Sequence, residues 1–306
     1  MDDMTPLIPH PTLPTVPPVR CGRYLLRFDG RALIMGVVNV TPDSFSGDGV
    51  PTALEAVVHG QRLAAEGADI LDIGGESTRP GSQSVPAEEE LARVLPVIHG
   101  LADRCALPLS IDTSKPEVAR EAIAAGATLI NDVWGLRQPG MLELAAETGV
   151  AVCIMHMQGQ PCDMQHAPAY GDVVGEVRGF LGERMAAAIA AGVAEDQIIL
   201  DPGFGFGKTA AHNLELVRRL GELCSLGRPV LLGASRKRTI GEITGRSVDE
   251  RLAGTVAMHA LGVAAGASLV RAHDVAAASD MVRIVAAVQG RDWPTAPVVT
   301  LGATEP

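Results

Sequence analysis

Three polar side chains stand one step beyond short apolar runs: Asp112 after LPLSI, Asn131 after ATLI and Asp201 after IIL. A carboxylate in such a place can cap the next helix, and Asp112 before TSKPEV has that form. Together, the three offer more than capping. They supply acceptors and donors at fixed separations, which is what a flat heterocycle with amidine-like N–H groups requires. Cations gather further along the chain. GASRKRTIGEIT, residues 233 to 244, carries Arg236, Lys237 and Arg238 in succession, and RAHD, residues 271 to 274, adds Arg271 and His273. In a chain with a formal charge of −11, such clustering favours an anion site over a solvated basic turn.

Two loops are rich in oxygen. NVTPDSFSGDG, residues 39 to 49, follows the apolar run RALIMGVV and packs Asn39, Thr41, Asp43, Ser44, Ser46 and Asp48 around one aromatic, Phe45. GGESTRPG, residues 74 to 81, brings Glu76, Ser77, Thr78 and Arg79 before Pro80. A packed connection does not need so many hydroxyls and carboxylates. DPGFGFGKT, residues 201 to 209, is one residue short of G-x-x-x-x-G-K-[ST], so a nucleotide phosphate loop is disfavoured there. Its glycines instead let a flat ligand approach the backbone. His156 in MHMQG has no second His or Cys at ligand spacing, which argues against a metal site at that residue, and no G-x-S-x-G elbow supports acyl chemistry.

These residues need a scaffold that brings them to one place. Short apolar runs at 32 to 38, 68 to 73, 107 to 111, 128 to 131, 150 to 155, 197 to 200, 229 to 233 and 267 to 271 read as strands. Stretches of helical period alternate with them at 52 to 66, 87 to 103, 116 to 125, 140 to 148, 171 to 191, 212 to 222, 248 to 265 and 274 to 289. Eight strand–helix units in 306 residues suit a single-domain (β/α)8 TIM barrel better than an open sheet. The expected barrel spans residues 21–290, between a Pro-rich flexible N-terminal tail (1–20) and a C-terminal tail (291–306). Ligand groups in such barrels sit at the C-terminal strand ends, with phosphate sites in the loops after the seventh and eighth strands. The polar residues above fall at those edges.

Composition narrows the class. A strongly acidic balance opposes nucleic acid and anionic membranes, because the dominant electrostatic contribution would be repulsive. Five cysteines without CxxC spacing leave at least one unpaired and imply reduced thiols in the cytoplasm. The proline-rich start lacks the basic and apolar regions of a signal peptide. Residues 252 to 270 are the nearest thing to a membrane span, but Gly, Thr, Ser and His favour a helix followed by a strand.

MGVVNVTPDSFSGDG, GGESTRPG, SIDTSKP, NDVWG, MHMQG, DPGFGFGK, SRKR and RAHD, in this order over roughly residues 31 to 289, closely resemble the dihydropteroate synthase family. The resemblance implies a (β/α)8 barrel that joins 6-hydroxymethyl-7,8-dihydropterin diphosphate to 4-aminobenzoate with Mg²⁺ assistance, as a cytoplasmic homodimer and sulfonamide target. It assigns Asp112, Asn131, Asp201 and Lys237 to the pterin, and Asn39, Thr78, Arg79, Arg271 and His273 to the diphosphate and Mg²⁺, with Asn39 as the metal ligand. Phe45, Pro80 and Phe206 would wall the aminobenzoate. Diphosphate leaves readily only if its developing charge is met, which Mg²⁺ and the cations would do. Departure would leave a pterin methylene cation for a first-loop carboxylate to stabilise. Many members read SFSDGG where this chain reads SFSGDG, so the second loop acid is displaced by one; Asp48 is then the candidate for the stabilising role and Asp43 for organising the loop, with the choice between the two acids left open by the sequence. Many members also carry Ser where this chain has Arg238, which bears on the aminobenzoate carboxylate. A pterin-binding methyltransferase domain and a non-catalytic pterin-binding paralogue are the alternatives. The small-residue helix 248 to 265 is the expected dimer interface.

Overall fold

The computed structural model describes residues 16–41, 53–77, 81–160, 163–291 and 298–300. Two short antiparallel strands, β1 (Val19–Cys21) and β2 (Tyr24–Leu26), come first. Strands and helices then alternate: β3 (Leu33–Asn39), α1 (Ala53–Glu66), β4 (Ile70–Gly74), α2 (Ala87–Ala102), β5 (Leu109–Asp112), α3 (Pro116–Ala124), β6 (Leu129–Asp132), α4 (Met141–Thr148), β7 (Ala151–Met155) and α5 (Val173–Ala191). They continue with β8 (Ile198–Asp201), α6 (Ala210–Arg218), α7 (Leu220–Cys224), β9 (Leu231–Leu232), α8 (Arg238–Thr244), α9 (Leu252–Ala264), β10 (Leu269–Ala272), α10 (Val275–Val288) and β11 (Val298–Thr300).

β3 to β10 form one parallel eight-stranded sheet in the order β8-β7-β6-β5-β4-β3-β10-β9. A parallel bridge between Leu200 and Val230, with the Leu200 amide donating to Pro229 O at 2.9 Å, joins the two ends and closes the barrel. Strands covered on both faces must be apolar on both, and they are. Alternate residues split between two cores. Leu71, Ile111, Ile130, Val152, Leu200 and Val270 pack toward the helices. Leu33, Met35, Ile70, Leu129, Cys153, Ile199, Leu231 and Leu269 pack inside the barrel. Because the side-chain period along a strand is two, the residue two steps beyond an interior apolar residue also points inward. That rule turns Asp72, Asn131, Asp201 and Arg271 into the mouth, above the apolar plug.

The far end is stoppered by Val19, Cys21, Tyr24, Leu26 and Phe28, which join the interior core. β1, β2 and β11 form a three-stranded sheet there. β1 thus begins inside the stretch expected as an N-terminal tail, and Val298–Thr300 of the expected C-terminal tail pair with β2. Helix α8 lies in a stretch read as a loop after β9. Its Gly241 and β-branched residues give it little intrinsic propensity, and buried Thr239 and Ile240 anchor it. The single helix expected at 212 to 222 is two, separated where Arg219 leaves helical geometry (φ −109°, ψ 24°). Among the described residues no helix is long and apolar enough to cross a membrane.

Candidate functional site

Asp112 is not the cap of α3. That helix starts at Pro116 with Lys115 in the N-cap position, and Asp112 is instead buried at the end of β5. Arg271 reaches across the mouth to it: Nη2 donates to Asp112 Oδ2 at 2.8 Å while Nε donates to Asp72 Oδ2 at 2.6 Å. The same Asp72 oxygen accepts from Asn131 Nδ2 at 3.1 Å. One fully buried carboxylate therefore sets the orientation of both an amide and a guanidinium, and it leaves Asn131 Oδ1 as the amide's remaining acceptor. Asp72 Oδ1 and Asp112 Oδ1 are buried without a protein partner. Buried acceptors left unpaired are costly, so they mark where ligand N–H groups would be received.

Asp201 lies across the mouth at the end of β8, where its Oδ1 accepts from Gly203 N at 2.7 Å. Lys237 stands beside it, donating to Phe204 O with its Nζ 4.3 Å from the centre of the half-buried Phe206 ring. Burial pulls the Lys237 ammonium down to about 7, with Asp201 resisting. Burial likewise pushes Asp112 up to about 7 against the attraction of Arg271, with Asp72 pushing the same way as burial. Asp201 is raised too, chiefly by burial. Arg271 is driven the other way: burial opposes its charge, yet Asp72 and Asp112 outweigh that and raise its pKa. The mouth thus holds two groups that exchange protons near neutrality and one fixed cation.

Asn39 ends β3 in register with Gly74. A Cβ at Gly74 would lie 3.7 Å from both Asn39 Oδ1 and Asp112 Oδ2, so the two oxygens flank the same bare backbone. His273 packs on Ser235, with Nδ1 and Oγ 2.9 Å apart and its backbone N donating to that Oγ at 3.2 Å. Asp43, Phe45, Asp48, Thr78, Arg79 and Pro80 lie outside the described residues.

The cations of the SRKR turn do not act together as the sequence suggests. Arg236 forms a two-pronged pair with Asp274 at 3.0 and 2.6 Å, and exposed Arg238 pairs with Glu242 at 2.5 Å within α8. Carboxylates have already met these two charges, and only Lys237 of the three turns to the mouth. The turn is itself held from α9: Arg236 N donates to Thr255 Oγ1 at 3.0 Å and Ala234 N to His259 Nε2 at 3.3 Å.

The glycine-rich DPGFGFGK segment is built for close approach of backbone to backbone. Gly203, at φ 66°, has no room for a Cβ, which would sit 1.8 Å from His156 O. Lys208 points inward, donating from Nζ to His156 Nδ1 (2.9 Å), Gly203 O (3.0 Å) and Phe206 O (2.9 Å). A lysine so enclosed serves no phosphate, in keeping with the rejected nucleotide loop. Burial and the Lys208 charge hold His156 down at about 2, so the ring is a neutral acceptor.

Sequence reasoning missed Asp72. Its signal was an acid at the second position after Ile70 in ILDIGG, an interior position under the alternation that also selects Asp112 and Asn131.

The sequence model of pterin binding enzymes matches residues 35–273. The chain is similar to the dihydropteroate synthase of Escherichia coli (strain K12), 48% identical over 255 residues, which cover 83% of this chain and 90% of that one. In structure it is similar to the Xanthomonas albilineans dihydropteroate synthase solved with 4-aminobenzoic acid, at a TM-score of 0.84 and 56% identity, covering 90% of this chain and 99% of that one. The Yersinia pestis dihydropteroate synthase in a sulfonamide drug complex aligns at a TM-score of 0.87 and 44% identity, over 90% of this chain and 100% of that one.

Proposed function

The chain belongs to the dihydropteroate synthases of the pterin-binding enzyme family, and from that premise we infer how its residues divide the reaction. It is a transferase of folate biosynthesis that condenses 6-hydroxymethyl-7,8-dihydropterin diphosphate with 4-aminobenzoate, giving 7,8-dihydropteroate and diphosphate. The observation that carries the residue assignment is the ring of buried groups at the mouth: carboxylates with unpaired oxygens beside an amide and a lysine.

Asp112 and Asp201 accept the pterin's N–H groups, Asn131 Oδ1 takes a further donor, and the Lys237 ammonium donates to a ring acceptor. The bond between methylene carbon and diphosphate oxygen breaks with its electron pair on the diphosphate. The aryl amine's lone pair then forms the new C–N bond and its proton is lost. Asp48 stabilises the transient methylene cation, Asp43 organises the loop around it, and Phe45, Pro80 and Phe206 hold the aminobenzoate ring. Thr78, Arg79, Arg271 and His273 receive the diphosphate. For Mg²⁺ the fit rests on Asn39, a hard amide oxygen at the strand end beside Asp112, since this ion takes few protein ligands when substrate phosphates supply others. Bound there, it would neutralise charge on the leaving diphosphate.

Residues 21–290 form the catalytic body in this reading, with Val19 and Val298–Thr300 of the flanking stretches 1–20 and 291–306 packed onto its far end. The protein acts as a cytoplasmic homodimer: Cys21, Cys105, Cys153 and Cys224 are unoxidised and buried, and exposed Ile243, Leu252, Leu261, Ile284 and Val288 on α8, α9 and α10 supply an apolar face for a second copy.

Diphosphate release tests the activity. It should require 4-aminobenzoate, and a sulfonamide should compete with aminobenzoate but not with the pterin diphosphate. Pterin binding without aminobenzoate-dependent release would make the chain a binding module instead.

A further inference from the structure

Glu76 leaves the end of β4 and is the hub of contacts the reaction scheme does not use. Its Oε2 accepts from Lys115 Nζ at 2.5 Å, and from Ser84 Oγ and Val85 N, both at 2.9 Å. The last two lie where the chain returns toward α2, so one oxygen gathers both stems of the Ser77–Gln83 segment. Lys115 also donates to Glu90 Oε2 at 2.5 Å, and Glu90 on α2 is fully buried. Arg93, one turn on, donates to Gly75 O at 2.6 Å. The helix comes this close because Gly75 has no side chain: a Cβ there would meet Val94 at 2.7 Å and Glu90 at 3.0 Å. Lys115 itself stands three residues past Asp112, and its amide donates to Thr113 Oγ1 at 3.2 Å.

The ammonium is thus shared by carboxylates from two parts of the fold and rooted in a third, the turn that follows the strand carrying a pterin-binding acid. Two charge-assisted bonds on one half-buried lysine fix a geometry more tightly than an exposed pair does. An element that needed this triad for stability alone would be served as well by apolar packing.

We propose that Glu76, Lys115 and Glu90 form a clasp that positions the root of the Ser77–Gln83 segment against the β5 floor, making Lys115 and Glu76 positioning residues for diphosphate and aminobenzoate recognition. This rests on the assignment of Thr78, Arg79 and Pro80 given above. It predicts a division between ligands: the ring of the pterin is read by residues inside the barrel, whereas the diphosphate and the second substrate depend on the clasped segment.

Lys115→Met would leave Glu90 buried without its partner and should lower stability sharply, so the decisive variant is Glu76→Gln, whose amide oxygen can still accept from Val85 N. Each protein is titrated calorimetrically with 6-hydroxymethylpterin and with inorganic diphosphate plus Mg²⁺, and the aminobenzoate KM is measured. In Glu76→Gln, diphosphate affinity and aminobenzoate KM should each worsen about tenfold while pterin affinity stays within about twofold, whereas Lys115→Arg alone, which keeps a cation between the two carboxylates, should retain most of that recognition. Equal losses for all three ligands would overturn the proposal, and so would unchanged values in a variant that melts normally. The two titrations need no turnover, so a wild-type protein that fails to release diphosphate would refute the synthase reading while leaving the clasp to be judged on binding.

Discussion

Asp72→Asn should separate the network's effect on binding from its effect on folding. Asp72 Oδ2 holds Arg271 at 2.6 Å and Asn131 at 3.1 Å; an asparagine oxygen in the same place can still accept from both, but it lacks the charge that holds the guanidinium, and its amide is buried where Oδ1 has no protein partner. Removing one partner of a buried ion pair costs about 3 to 5 kcal/mol when the other is stranded. Here Arg271 keeps Asp112 at 2.8 Å, so the cost should be smaller, about 2 kcal/mol. That corresponds to a fall in Tm of about 3 to 4 °C for a chain of this size. The more telling readout is protonation. Asp72 is among the charges that push the Asp112 carboxyl up to about 7. Neutralising Asp72 removes that repulsion and gives Asp112 a larger share of Arg271. Both effects favour the ionised form, so Asp112 should titrate lower by on the order of one pH unit, about 1.4 kcal/mol of differential interaction. Calorimetric titration with 6-hydroxymethylpterin across pH 5 to 8 reads this directly as a downward move of the acid limb, alongside weaker binding from an Asn131 held less firmly by a neutral acceptor. An acid limb that stays in place or moves up would refute the network, whatever happens to Tm.

Pterin affinity in the unaltered protein should peak near neutrality. Below about 7 Asp112 gains a proton and loses acceptor capacity, and above about 7 Lys237 loses its ammonium, so Asp112→Asn should flatten the acid limb and Lys237→Met the alkaline one; a profile flat between about pH 5.5 and 8.5 would count against both assignments. Gly203→Ala should destabilise the chain by at least about 1 to 3 kcal/mol, since it combines a left-handed backbone (φ 66°) with a Cβ 1.8 Å from His156 O, and an unchanged melting curve would show that this turn can relax.

The alternation of apolar runs with helical stretches was enough to specify a closed parallel barrel, because each strand of such a barrel is buried on both faces and each crossover needs a helix. Period two along the strands then brought Asp112, Asn131 and Asp201 to one mouth, and these are local properties that a sequence carries openly. Charge neutralisation is not local. Arg236 and Lys237 are neighbours in SRKR, yet Asp274 answers the first and the second faces the pocket. Lys208 ends a glycine-rich run one residue short of the phosphate-loop spacing, and it turns inward onto His156. Helix α8 depends on Thr239 and Ile240 being buried rather than on its own propensity, and β1, β2 and β11 bring opposite ends of the chain into one small sheet beneath the barrel. Asp72 shows both sides of this: alternation turns it inward, but only the folded barrel brings Asn131 and Arg271 onto the same oxygen. Which donor meets which acceptor across the mouth depends on strand register and barrel closure, and these exist only once all eight strands are in place.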